Sequence, residues 1–262
     1  MKLGLCTGIN FNDWSSVETA AKCGFQYLEL PVMEIVKLSD REIESYKKTV
    51  QKFNLSILCA NAYFPNNIKL VGKDVDFNAI ESYAAKATEK LSKFGIKTAV
   101  FGSGSSRAVP DGFSKETALA QLSEALGIVN SEAVKANLEI VIEPLSPGET
   151  NTINTVREAY DFCKKAGLKN VHVLADLYHV GQERCLEKSL QDLDICHDEL
   201  RHIHLSCPIA RTVPTVTDGF KYELFFDALK KANYIGNVTV EAWPYTKENL
   251  ADCKRIFDEN IK

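Results

Sequence analysis

Residues 139–151 read EIVIEPLSPGETN. Ile140, Val141 and Ile142 make an apolar run of strand length, and Glu143 closes it immediately before Pro144. A second carboxylate, Glu149, follows six residues after Glu143. A carboxylate placed where an apolar strand leaves the core is either a solvated loop acid or a functional group on the rim of a sheet. The choice depends on what the other strands carry at the same end.

The same kind of run recurs along the chain. LGLCTGI (3–9), YLELPV (27–32), SILCANA (56–62), TAVFGS (98–103), VHVLADL (171–177), RHIHLS (201–206) and NVTVEAW (237–243) join EIVIEPL (139–145) to give eight strand candidates. Helical patterns lie between them, among them DREIESYKKTVQKFN, FNAIESYAAKATEKLSKFG and KETALAQLSEALGIVNSEAVKAN. Several end in Gly or Asn, as in KCGF, KFGI, KANL, KAGL and KANY, where a left-handed C-cap is expected. Near-continuous apolar strands alternating with helices imply a parallel sheet covered on both faces. Eight such units at roughly 30-residue spacing fit a closed (β/α)8 TIM barrel better than an open sheet. The segment CTGINFND after the first strand also lacks the glycine-rich phosphate loop of open nucleotide-binding sheets. No linker or low-complexity segment interrupts the pattern, so residues 1–262 are read as one α/β domain. GQERCLEKSLQDLDICHDE, after the sixth strand, reads as one helix or two short ones, and IARTVPTVTDGFK, after the seventh, as a lid.

Composition narrows the function classes. The chain is 45% hydrophobic and 25% charged, with 31 basic and 35 acidic residues and a formal charge of −4. Without a basic tail or run, nonspecific nucleic-acid binding is disfavoured. No apolar window approaches a membrane span, and MKLGLCTGIN is too short an apolar run for a signal peptide. The eight cysteines are scattered with no CxxC pair, which reads as reduced thiols rather than a disulfide framework. A cytoplasmic protein with no membrane or nucleic-acid partner is expected.

In a barrel of this kind, functional groups sit at the C-terminal ends of the strands. Strand five ends in Glu143 and strand six in Asp176, with His179 three residues on. Strand seven carries His202 and His204 at alternate positions, pointing the same way, and strand eight ends in Glu241. The steps Glu143 to Asp176, Asp176 to His204 and His204 to Glu241 are 33, 28 and 37 residues, each about one βα unit. Three carboxylates and an imidazole suit a divalent cation such as Mn2+, Mg2+ or Co2+, and suit Zn2+ less well. The bland alternative is a set of unrelated rim residues, with one histidine a satisfied core group. In FGSGSSR (101–107), Ser103 and Arg107 are candidate contacts for a sugar or phosphate, against a plain Gly/Ser loop. Glu29 faces the same rim or caps a helix. Trp14, Phe64 and Trp243 are candidate pocket walls, with packing the commoner role. His197 reads as a helix-surface residue, and His172 lies at the wrong end of its strand.

These motifs resemble the sugar isomerase/epimerase superfamily with the xylose isomerase-like barrel, and within it the ketose 3-epimerases. The likeness spans most of the chain in layout and is most specific in the second half. IEPLSPGETNTINT resembles the stretch in which a glutamate ligand is followed by a substrate-binding glutamate and an asparagine, which implies those roles for Glu143 and Glu149. DLYH resembles the family's Asp-x-x-His, implying Asp176 as ligand and His179 on the substrate. HIHLS resembles its His-x-His, implying His204 as the ligand, and VEAWP implies Glu241. The RTVP loop implies Arg211 as a substrate grip. The resemblance further implies a small-molecule sugar or sugar phosphate as partner, a homodimer or homotetramer, and proton transfer at C3 by Glu143 and Glu241. His179 and Arg211 are then expected as positive groups beside the developing oxyanion. The family's Thr-Gly-Glu after the second histidine is Leu205-Ser206-Cys207 here, and TVTDGF replaces its Gly-rich turn. Those departures leave open the sugar and the choice between a 3-epimerase and an aldose–ketose isomerase. Two other readings share the barrel: a three-zinc endonuclease of the apurinic/apyrimidinic type, and a sugar-binding barrel without chemistry.

Overall fold

The computed structural model describes all 262 residues. The chain runs β1 (Lys2–Cys6), α1 (Ser15–Lys22), β2 (Tyr27–Pro31), α2 (Val32–Ile35), α3 (Asp40–Lys52), β3 (Ser56–Asn61), α4 (Phe77–Phe94) and β4 (Thr98–Phe101). It continues through α5 (Gly104–Arg107), α6 (Lys115–Ala136), β5 (Glu139–Ile142), α7 (Val156–Ala166), β6 (Val171–Asp176), α8 (Leu177–Gly181) and α9 (Leu186–Ile195). It ends with β7 (Leu200–Leu205), α10 (Tyr222–Lys231), β8 (Asn237–Val240) and α11 (Lys247–Asn260). The eight strands are parallel and close in sequence order, β1 pairing with both β2 and β8. All eight expected strands are present. Most stop earlier than the apolar runs do, because the last residues of each run leave the ladder and form the rim. The stretch 181–199 forms one helix, α9, with α8 ending at its first residue, Gly181.

Helix ends follow the local chemistry. Ser39 and Glu42 form a capping box on α3, and Asp76, Ser114 and Thr155 cap α4, α6 and α7. Gly24, Gly95, Asn137, Gly167 and Asn233 all have positive φ, so each expected C-cap reverses the chain in the left-handed region. The main apolar core lies between the strands and the helix layer. No helix is long and apolar enough to cross a membrane.

Alternation along the strands decides which residues face the barrel axis. Val100, Val141 and Leu174, from adjacent strands β4, β5 and β6, make a small apolar cluster of their own inside the barrel. In the same layer Tyr27 donates its hydroxyl to Thr239 (2.7 Å), and its ring covers Gly4, where any Cβ would overlap it. Two residues further along each strand, the next inward layer is Cys6, Glu29, Asn61, Gly102, Glu143, Asp176, His204 and Glu241. The apolar layer below is a floor; this polar layer is the mouth.

Candidate metal and sugar site

The mouth is divided. The β5–β8 half carries Glu143, Asp176, His204 and Glu241, each offering one ligand atom within 4.8 Å of the others. The β1, β3 and β4 half carries the small residues Cys6, Asn61 and Gly102. At Gly102 a Cβ would overlap Glu143 Oε2, so a side chain there forces that carboxylate to move. Gly102→Ala is therefore expected to displace that carboxylate. Metal affinity should fall by about 10–100-fold, the range seen when a ligand's support is disturbed, with the circular dichroism spectrum retained. A competition titration against a chromogenic chelator measures it.

His204 is the centre of the group. Its Nδ1 lies 3.1 Å from Glu143 Oε1 and 3.4 Å from Glu241 Oε2, and its Nε2 donates to Glu29 Oε1 (2.9 Å). Glu29 also accepts from His202 Nε2 (2.8 Å) and Thr239 Oγ1 (2.6 Å). All four residues are completely buried. Glu29 is thus not a helix cap: it belongs to the inward layer, completely buried, and fixes the ring orientation of His204, as carboxylates do behind metal-binding imidazoles. Burial pushes the Glu29 carboxyl up, but the two imidazoles outweigh it and hold it ionised.

The remaining charges are poorly balanced without a cation. Burial, then Glu143 and Glu241, push Asp176 up to about 8, and its Oδ2 is buried with no partner. Burial also raises Glu143, with Glu241 adding to the effect. At Glu241 burial acts in the same direction, but His204 prevails and the carboxyl is lowered. His204 itself is raised well above its ordinary range, since Glu241 and Glu29 overcome the burial that opposes its charge. An imidazolium among three carboxylates and an orphaned buried oxygen is the arrangement a divalent ion fits: oxygen-rich, with one imidazole. A cation there must displace the protons held by Asp176 and His204. Its affinity is expected to rise by about tenfold or more per unit between about pH 6 and pH 8, with proton release on binding. Calorimetric titration in buffers of different ionisation enthalpy reads both.

The other predicted site residues surround this group. Arg211, at φ 52° in the lid segment, pairs with Glu149 (2.6 Å), approaches Glu241 Oε2 (3.7 Å) and stacks over the Tyr178 ring at 4.7 Å. His179, 2% exposed, accepts from Ser146 N–H at Nδ1 (3.0 Å). That bond puts the proton on Nε2, which has no hydrogen-bond partner and lies 3.7 Å from Asp176 and 3.9 Å from Glu149. The expectation of a positive His179 is corrected here. Burial first, then the Arg211 charge, lower it to about 3, so it is a neutral donor. Of His179 and Arg211, only Arg211 is charged.

Ser103 and Arg107 are close by but turned to other tasks. Ser103 Oγ accepts from Phe64 N–H (2.9 Å). FGSGSSR is a short helix rather than an open loop, and Arg107 is fully buried, donating from Nη2 to the Glu143 carbonyl (2.5 Å). Its connection to the site runs through that backbone. Trp14 packs on Tyr46, Phe64 is buried among Tyr63, Tyr83 and Phe101, and Trp243 is half exposed. His172 pairs with Glu199 at the far end of β6, and His197 is exposed in the turn after α9. Of the five histidines only His179 and His204 reach the mouth, with His202 in the layer below, too few for a three-zinc nuclease centre. Sequence reading missed Asn61 and Cys6. Asn61 Nδ2 donates to Glu241 Oε1 (3.2 Å) and to Cys6 Sγ (3.3 Å). The available signal was their position, since each ends an apolar strand as Glu143 does.

Residues 17–258 match the family model of the xylose isomerase-like TIM barrel, and the chain belongs to that family. A probable ketose 3-epimerase of Synechocystis is 24% identical over 247 residues, covering 92% of this chain and 82% of the relative. The D-psicose 3-epimerase of Agrobacterium fabrum is 27% identical over 268 residues, 98% of this chain and 90% of that one. Among solved structures, the D-psicose 3-epimerase of Clostridium cellulolyticum with D-tagatose superposes with a TM-score of 0.84 at 18% identity. It covers all of this chain and 98% of that one, and the likeness establishes the shared fold. The two sequence relatives are carbohydrate epimerases, that is, isomerases.

Proposed function

We propose that this chain is a divalent-metal-dependent ketose 3-epimerase, with Glu143, Asp176, His204 and Glu241 as the ligands and Mn2+ as the cation. The observation that carries the reading is the convergence of two glutamates, from the ends of β5 and β8, on one buried imidazole Nδ1. Three full-length relatives of this class, two by sequence and one by structure, add support. The cation, when bound, supplies Lewis-acid polarisation of the ketose carbonyl, which acidifies the neighbouring C–H.

The side chains do the rest. One of Glu143 and Glu241 takes the C3 proton and the other returns one from the opposite face, inverting C3 through an enediolate. The reverse reaction exchanges their roles. Asn61 holds the Glu241 carboxylate through its amide, and Arg107 anchors the backbone from which the Glu143 side chain projects. The His179 Nε2–H is a fixed neutral donor for a substrate oxygen. Arg211 contributes a positive charge at the mouth, and Glu149 accepts from sugar hydroxyls when Arg211 shifts toward substrate. The small residues on the β1, β3 and β4 side leave room for the sugar chain.

The test is turnover of chelator-stripped and Mn2+-reloaded protein on D-fructose, D-psicose, D-tagatose and L-ribulose, with products separated by chromatography. A C3 epimer formed only by the reloaded protein supports the reading. An aldose as sole product makes the same site an aldose–ketose isomerase. Equal turnover with and without the ion removes the metal from the account.

A further inference from the structure

The mouth contains a second set of ligand atoms that the four-residue group does not use. Cys6 Sγ, one nitrogen of His204 and one oxygen of Glu241 lie within 4.8 Å of one another. Cys6 is 1% exposed and ends β1, directly across the barrel seam from β8. Neither Glu143 nor Asp176 belongs to this set. The two sets share His204 and Glu241, so a single ion occupies one or the other.

The geometry points to a soft-metal site at Cys6, His204 and Glu241, selective for thiophilic cations of the zinc and cadmium type. One sulfur, one imidazole nitrogen and one carboxylate, completed by water, are a tetrahedral zinc-type donor set. The oxygen-rich set beside it suits a harder ion. Asn61 gives a second, independent indication. Its Nδ2 donates to both Cys6 Sγ (3.3 Å) and Glu241 Oε1 (3.2 Å), tying the two donor atoms to one amide. Its Oδ1 is buried beside them with no partner, an acceptor for the water that completes such a shell. On binding, the Cys6 S–H bond breaks, the sulfur lone pair goes to the cation and the proton leaves to the buffer. No redox change occurs. A cation held this way occupies Glu241, so these metals inhibit rather than activate the proposed epimerase; this consequence alone rests on that reading.

Cadmium is the probe. Titrating Cd2+ into chelator-stripped full-length protein is expected to produce thiolate-to-cadmium charge-transfer absorption saturating at one equivalent. Cys6→Ser should abolish it and lower Cd2+ affinity by at least about tenfold, as loss of one of three ligands requires. Cys185→Ser, which removes an exposed thiol, should leave the band unchanged. Cadmium NMR of the unsubstituted protein reads sulfur ligation directly and needs no variant to fold. A bound cadmium with only oxygen and nitrogen ligation, an undiminished band in folded Cys6→Ser, or no Cd2+ binding overturns the proposal. Because absorption and NMR need no substrate, failure of sugar turnover leaves this test intact. Epimerase turnover without a thiolate signal rejects only the soft site.

Discussion

Replacing Glu241 with glutamine is expected to lower turnover by about a thousandfold, the scale of losing a general acid–base group, in protein that still folds. The substitution keeps the side chain's size and its hydrogen bond with Asn61 after rotation of the amide. It removes the charge that faces His204 Nδ1 (3.4 Å) and Arg211 Nη2 (3.7 Å), and with it the ability to carry a proton. Glu143→Gln should cost as much, because epimerisation needs a group on each face. The two variants differ in a way a structural role cannot imitate. Each blocks one face, so the double variant should be scarcely worse than either single one. Steady-state rates for the three proteins, with metal content measured on the same samples, decide this. Turnover within about threefold of the parent in metal-loaded Glu241→Gln would contradict the assignment.

Glu29→Leu is expected to have the largest effect on the protein as a whole. Glu29 accepts from three buried donors, His202 Nε2, His204 Nε2 and Thr239 Oγ1. Removing it strips the His204 imidazole of its buried partner in a site with no exposure, a loss of about 3–5 kcal/mol by the measure of broken buried charge pairs. Glu29→Gln is the informative companion. It keeps one acceptor oxygen, so one imidazole loses its partner. The lost charge also frees the His204 ring to change tautomer and tilt. Metal affinity should fall by about 10–100-fold while most of the stability is kept. Urea denaturation and metal competition separate the two effects. Unchanged affinity in Glu29→Gln would mean that His204 is positioned by packing alone.

How far the sequence carries this picture differs from element to element. The barrel was legible because each strand is an apolar run set off by a helix with a readable C-cap; KFG, KAN and KAG end where the left-handed residues do. Glu143 and Glu241 stand out because they are charged residues one position beyond an apolar strand, and Asp176 because it is the last residue of its own strand. Glu29 did not stand out in the same way. YLELP has apolar residues on both sides of the glutamate, and nothing local tells which face is the barrel interior. Only closure, with β2 pairing β1 and, across a register shift at Leu28/Glu29, β3, places it against His204. Cys6 and Asn61 look like ordinary strand ends until β1 and β8 meet. The neutral state of His179 depends on the Ser146 backbone N–H and on burial, and neither is written in DLYH. Arg107 shows the opposite limit. A Gly/Ser-rich stretch ending in arginine suggests a surface anion site, yet the helix it forms buries the guanidinium against the Glu143 carbonyl.

The most direct test of the central claim is proton exchange followed by NMR in D2O. Mn2+-loaded protein is incubated with a free ketose, the ion is then removed with a chelator, and spectra are compared with a chelator-treated control. Deuterium at C3, appearing together with the C3 epimer and only in the metal-loaded sample, is the predicted result. Exchange at C1 with no change at C3, or epimer formation without solvent deuterium, would contradict proton transfer at C3 by Glu143 and Glu241.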